Sequence, residues 1–350
     1  MSSKERKVRV GLKLPIPARE DTFSKPMPLP LPLPLPLPMP PSGGGNMQAA
    51  VNVPSCKLPC APLQEVVLED LQKISTLGCG SSGKVYKVKH VRTGKIYALK
   101  IIQEKHELAV RKQIMREMEI LRRANSPHIV QCYGIFDRGG EISFVLEYMD
   151  GGTLAHVLQA HKKIPEPYLA EVARQVLKGL LYLHQNKIVH RDIKPSNLLI
   201  NKKKEIKIAD FGVSTVLAHT LAQCNSFVGT CAYMSPERFD PDGYGGKYDG
   251  CSADIWSLGL SLLECAIGRF PCLSPGQKAD WPTLMMAICL GDPPSPPPDA
   301  SPEFQSFIRS CLQKDALLRH TAHRLLSHPF LKKHEEKTCD LSPLLQSLRL

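Results

Sequence analysis

Between residues 71 and 147 the apolar positions fall in short runs divided by turns, and beyond residue 151 they recur at helical spacing. The short runs predict strands at 71–77, 84–90, 95–101, 129–136 and 142–147. One helical segment interrupts them at 108–123, where Ile114, Met118 and Leu121 form an apolar stripe. After Gly151 and Gly152 the spacing predicts helices at 154–160 and 168–184, followed mostly by helix and loop. The stretch PPSPPPDASP, closing at Pro302, reads as a surface connection. A helix at 321–327 and the triplet His328-Pro329-Phe330 end the folded part.

The two ends read differently. Residues 1–25 are basic and polar, and residues 26–41 read PMPLPLPLPLPLPMPP. Strict Leu-Pro alternation excludes a helix, because each Pro removes a donor and fixes φ. It predicts polyproline II, serving either as a stiff spacer or as a ligand for an SH3-type domain. Gly43-Gly44-Gly45 follows, so 26–67 is expected to be a disordered Pro/Gly-rich linker. In the tail, 332–350, Ser342 and Pro343 predict a helix start, with Ser342 as N-cap. Leu344, Leu345 and Leu348 then share a face, and Leu341 is placed to staple against it. So short a helix is marginal alone, and it must pack on its own fold or on a partner.

Composition narrows the class. A chain of 350 residues suits one domain of about 260 residues plus tails. The net charge of +12 admits acidic partners, but Lys and Arg are scattered apart from one cluster at the start. No nucleic-acid module accompanies them, so nucleic acid is not expected as a partner. There are twelve Cys and no signal peptide. Cys56 and Cys60 form a C-x-x-x-C pair without a second pair or nearby His, which argues against zinc. Most Cys are expected to be small buried apolar residues in a reducing compartment. No apolar run is expected to span a bilayer, and Ser2 in place of glycine excludes N-myristoylation.

The chemistry concentrates at 188–212, IVHRDIKPSNLLINKKKEIKIADFG. His190-Arg191-Asp192 leads to Lys194 and Asn197, and thirteen residues past Asn197 comes Asp210-Phe211-Gly212. Upstream, LGCGSSGKV runs from Leu77 to Val85 with Gly78, Gly80 and Gly83 at G-x-G-x-x-G spacing. Seventeen residues past Gly83 lies Lys100, the last of YALK. Glycines without Cβ atoms let backbone lie close over phosphates. Phosphoryl transfer needs one carboxylate on the attacking hydroxyl, and an Asp and an Asn on metal ions.

In this order and spacing the motifs resemble those of a protein kinase. The resemblance implies an α+β fold of two lobes at 68–331, a small β-rich lobe before a larger α-helical one. It implies ATP and Mg²⁺ as cofactors. Leu77, Gly78, Cys79, Gly80, Ser81, Ser82, Gly83, Lys84, Val85 and Ala98 would surround the nucleotide. Lys100 would hold its α- and β-phosphates, anchored by Glu117, while Glu119 points away and is solvated. Leu146 falls at the gatekeeper position, and 147–149, with Glu147 and Met149, would form the hinge to adenine. Asp210 and Asn197 would bind Mg²⁺. Asp192 would take or orient the substrate's hydroxyl proton, and Lys194 would reach the γ-phosphate. Glu237, Asp254, Arg319 and Thr230 match structural supports, although DALLRHTA replaces the common DPxxRPTA.

The segment after Gly212 is more specific. Thr220 and Ser226 form T-x-x-x-x-x-S, followed by FVGTCAYMSPERFDP. With HRDIKPSNLL, EYMDGGTL and MREMEILRR, this is similar to plant mitogen-activated protein (MAP) kinase kinases of the compact subgroup. The resemblance implies a dual-specificity enzyme that phosphorylates Thr and Tyr of a MAP kinase T-x-Y loop in a stress, defence or hormone-type cascade. It implies activation by an upstream kinase at Thr220 and Ser226, with Arg191 receiving a phosphate. Lys4, Arg6, Lys7 and Arg9, followed by Leu12 and Leu14, resemble the docking peptide that such kinases present to their MAP kinase. A monomer in the cytoplasm, with the nucleus left open, completes the expectation. The alternatives are a Ser/Thr-only kinase of another tier and a catalytically silent scaffold.

Overall fold

The computed structural model describes residues 66–80, 83–102, 108–138, 140–210, 231–240, 249–274, 276–335 and 340–346. The leader, the linker up to residue 65, Ser81, Ser82, Thr220, Ser226 and Thr230 lie outside the described residues, while Val66, at the end of the expected disordered linker, is instead buried against the sheet. Strands β1 (Leu71–Gly80), β2 (Gly83–His90), β3 (Ile96–Ile102), β4 (Cys132–Arg138) and β5 (Glu141–Glu147) form an antiparallel sheet in the order β1-β2-β3-β5-β4. Helix α1 (Leu108–Arg122) connects β3 to β4. Side chains alternate across the sheet. Tyr97, Leu99 and Ile101 join Val66, Val88 and Val145 in one apolar cluster. On the other face Ile102, Ile142 and Phe144 pack with Ile114 and Met118 of α1. Lys100 shares that second face with Ala98 and Ile102, so the strand period itself turns the lysine inward.

The larger lobe contains α2 (Leu154–His161), α3 (Glu166–Gln185), β6 (Leu198–Ile200), β7 (Ile206–Ile208) and α4 (Pro236–Phe239). Then come α5 (Gly250–Ile267), α6 (Trp281–Met285), which runs into a π-helical turn (Met286–Leu290), α7 (Pro302–Cys311), α8 (Ala322–Leu326), α9 (Pro329–Lys333) and α10 (Ser342–Gln346). Helix α5 corrects one expectation. Its 18 residues have a mean hydropathy of 1.2, long and apolar enough to cross a membrane by length and composition. Most of the helix is buried inside the lobe, the carboxylate of Asp254 included. A helix that is apolar all round is a core helix here.

Some boundaries differ from the sequence pattern for physical reasons. Strand β1 continues through the glycines to Gly80, which pairs with Gly83. Gly83 takes φ 118°, and a Cβ there would collide with Ile101 O. Strand β4 begins at Cys132 rather than 129, because the preceding backbone bonds elsewhere: Val130 N donates to Ile208 O (3.0 Å) and Ile208 N to His128 O (2.9 Å). Helix α3 starts at Glu166, since a proline in the first turn gives up no needed bond. In the tail, α10 begins at Ser342 itself, and Asp340 Oδ1 accepts from Ser342 N (2.9 Å). Ser342 is therefore not the N-cap. Leu341 and Leu344 are buried in the main core, so the tail packs on its own lobe. Leu348 lies outside the described residues. The described cysteines are free thiols. Cys132, Cys231, Cys265 and Cys311 are buried, and Cys79 is exposed.

Candidate active site

The site forms where β6, β7 and the loop before them meet the sheet. Asp254, near the start of α5, is the anchor. Its Oδ2 accepts from His190 N (2.9 Å) and its Oδ1 from Arg191 N (2.8 Å). His184 Nε2 lies 3.0 Å from Oδ2. A fully buried carboxylate is thereby satisfied by the backbone of the loop that carries Asp192. His190 carries the link onward. Its Nδ1 accepts from Asp192 N (3.2 Å) and its Nε2 meets Ala209 O (2.9 Å). These partners require a neutral ring protonated on Nε2. Burial pushes the His190 pKa down, against the pull of the Asp254 and Asp192 carboxylates.

Asn197 is tied to Asp192 on both sides. Its Nδ2 donates to Asp192 O (2.8 Å) and Asp192 Oδ2 (2.9 Å), and its carbonyl accepts from Ala209 N (2.9 Å). Both amide hydrogens being used, the side-chain carbonyl oxygen of Asn197 remains as an acceptor. Asp192 Oδ1 is buried and takes no aligned hydrogen bond; Lys194 Nζ lies 2.9 Å away as a charge contact.

Lys100 Nζ donates to Asp210 Oδ1 at 2.7 Å. The expected partner was Glu117, whose backbone lies in α1 and whose side chain is outside the described set. The described partner is Asp210. Burial pushes the Asp210 pKa up, but the Lys100 charge and hydrogen bond outweigh it and hold the carboxyl below its ordinary value. Asp210 has φ 60° and Arg191 φ 70°, left-handed conformations uncommon outside glycine. Arg238 Nη1 donates to Arg191 O (2.8 Å) and so braces one of these strained turns.

At the back of the cleft, Leu146 is half-buried and Met149 buried. Glu147 N donates to Gln131 O (2.9 Å), while the Glu147 carboxylate is paired with Lys207 (2.7 Å). Met149, Val130 and Ala209 form a small apolar cluster with Leu146 and Leu199. This cluster joins the hinge to the residue before Asp210. Val130, Leu199 and Ala209 escape the sequence reading, because only tertiary packing turns them toward Met149.

The outer supports are also in contact. Arg319 Nη1 and Nη2 donate to Glu237 Oε1 (2.6 Å) and Oε2 (2.7 Å), and its guanidinium lies 5.0 Å over the Trp256 ring. The altered DALLRHTA sequence keeps the arginine in this role. Glu119, expected to be solvated, is half-exposed and paired with Arg122 (3.0 Å) and Arg123 (3.4 Å). Tyr233 OH donates to Glu264 Oε2 (2.6 Å), and burial pushes both pKa values up. Among the described residues no group of three His, Cys, Asp or Glu forms a metal centre. A cation with one carboxylate and one amide carbonyl must complete its shell from the substrate and water, as Mg²⁺ does with nucleotides.

The protein kinase domain family matches residues 71–331. Mitogen-activated protein kinase kinase 9 of Arabidopsis thaliana is 55% identical over 266 residues, covering 75% of this chain and 85% of the relative. Mitogen-activated protein kinase kinase 7 of the same plant is 53% identical over a span of the same length. Mitogen-activated protein kinase kinase 1c of Physcomitrium patens is 48% identical over 301 residues, 84% of this chain and 86% of the relative.

Proposed function

The chain belongs to the plant MAP kinase kinase family of protein kinases, and from that premise we propose how its own residues carry out the reaction. The enzyme transfers the ATP γ-phosphate to Thr and Tyr of a MAP kinase activation loop. The observation that supports the residue roles is the junction of Lys100 with Asp210 and of Asn197 with Asp192 across one cleft. Lys100 holds the nucleotide phosphates. Asp192 accepts the hydroxyl proton, and Lys194 beside it offsets charge on the transferring group. The Asp210 carboxylate and the Asn197 carbonyl are hard oxygen donors that fit Mg²⁺. Held there, the ion would supply charge neutralisation to the phosphates. Hinge backbone at 147–149 would receive adenine, with Leu146, Met149 and Leu199 supporting the hinge from behind. Asp254 and His190 position Asp192 without touching the substrate.

Regulation and partner choice extend the proposal. Thr220 and Ser226 are the sites at which an upstream kinase switches the enzyme on, and Arg191 takes one of the phosphates. The leader, through Lys4, Arg6, Lys7, Arg9, Leu12 and Leu14, docks the downstream MAP kinase. The enzyme acts as a monomer in the cytoplasm. Incubation with radiolabelled ATP and a kinase-dead MAP kinase tests the whole reading. Label on both Thr and Tyr is expected. Label on Thr alone points to a Ser/Thr kinase of another tier, and no label points to a scaffold.

A further inference from the structure

Residues 340–346 lie beyond the stretch matched by the kinase domain family, which ends at residue 331, yet they are well anchored. Leu341 and Leu344 are 1% and 2% exposed. At one end Asp340 pairs with Lys204 of the β6–β7 turn (2.6 Å). That pair is open to solvent and is worth little by itself. At the other end His161, the last residue of α2, places Nε2 3.0 Å from Leu344 O. Between these grips the tail crosses Gly151: a Cβ there would sit 3.1 Å from a Leu345 methyl carbon.

What the tail covers matters for the cleft. Asp150, Gly151 and Gly152 follow directly on the hinge residues 147–149. Two consecutive glycines, the second at φ 72°, make a link with unusual backbone freedom. Its inner side is held by β6 and the turn after it, through Gly151 N to Ile200 O (3.0 Å), Ile200 N to Gly152 O (2.9 Å) and Lys202 N to Asp150 Oδ1 (2.8 Å). Its outer side meets Leu345. We propose that residues 340–346 are a strap that clamps the two-glycine link against β6 and thereby positions the hinge backbone for the nucleotide, with Leu341, Leu344 and Leu345 as positioning residues. The inference rests on the nucleotide-binding reading of the cleft.

The test compares the full-length protein with two variants, Leu341→Ser plus Leu344→Ser, and the milder Leu345→Ala. Calorimetry measures the Kd for ADP. Kinetics give KM for ATP and kcat at saturating ATP, and a thermal scan gives Tm. Loss of the strap is expected to raise Kd and KM together by about 3- to 30-fold, the range of mutations that act on a site through its supports. The kcat at saturating ATP stays within about twofold, since the transferring groups are untouched. Leu344→Met, which conserves volume, retains wild-type affinity. A lowered Tm with unchanged ADP affinity in both variants overturns the proposal and leaves the tail as ordinary lobe packing. A fall in kcat at constant KM overturns it as well. Failure of the wild-type protein to bind ADP at all would instead remove the nucleotide reading on which it stands.

Discussion

Lys100 is 3% exposed and its ammonium has Asp210 2.7 Å away. A methionine there keeps most of the length and loses the charge. Lys100→Met is expected to lower phosphate transfer by roughly 10²–10³-fold, the scale for removing one preorganised electrostatic contact. The circular dichroism spectrum remains that of wild type. Arg319 illustrates the structural counterpart. Its side chain and that of Glu237 are 0% and 2% exposed, so removing one partner leaves a buried charge uncompensated. Arg319→Leu is expected to cost about 3–5 kcal/mol in urea unfolding, the range for breaking a buried pair. These residues are legible in the sequence because phosphoryl transfer fixes both their types and their spacing. Val130 and Leu199 are not, because an apolar residue carries no mark of which neighbour it will meet. The Lys100–Asp210 contact is also beyond sequence, since a lysine with several acids within reach needs coordinates to choose among them.

At the scale of elements, strands and long helices are legible from their periods, and the misreadings sit at ends where a local bond competes. Residues 129–130 have strand character, yet Ile129 N donates to Ser126 O and Val130 N to Ile208 O, and neither bonds to β5. Ser342 has cap chemistry, yet Asp340 supplies the accepting oxygen. Ser301 is a contrasting case in which the cap chemistry is fully used. Its Oγ accepts from Phe304 N (3.2 Å) at the start of α7, and Glu166 accepts from Ser301 N (2.8 Å) and Oγ (2.5 Å). Ser301→Ala removes a cap and one partner of a carboxylate at a junction between α3 and α7. The expected loss is about 1–2 kcal/mol, read as a lower urea midpoint with an unchanged slope.

For the whole molecule, buried and half-buried histidines set the response to acid. Burial lowers the pKa of His128, His190, His320, His328 and His334. The unfolded chain therefore takes up protons first, near pH 6.5, while the folded chain resists. The stability tied to these rings is complete above about pH 6.5 and is lost as pH falls through the lower folded values. Tm is expected to decline steadily from pH 7 to 5. A Tm that rises over this interval contradicts the lowered pKa values of these rings as a group. The leader makes a separate whole-chain prediction. Leu12→Ala with Leu14→Ala should depress phosphorylation of intact MAP kinase and spare a generic substrate such as myelin basic protein. Equal rates on both substrates would leave residues 1–25 without a docking role.

The ion pair between Lys100 and Asp210 makes the cleft a two-key lock. Lys100, drawn toward a phosphate, takes the nearest positive charge away from the Asp210 carboxylate. Asp210, drawn toward a cation, takes from the ammonium its described partner. When both ligands arrive, each released group finds its new partner and neither is stranded. Nucleotide and cation must then raise each other's affinity by one common factor, by about 5- to 150-fold if the coupling is of ordinary size. In Asp210→Ala the part of the coupling carried by this pair disappears: titrating the cation should move the nucleotide Kd less than in wild type, and nucleotide should move the cation's less by the same factor.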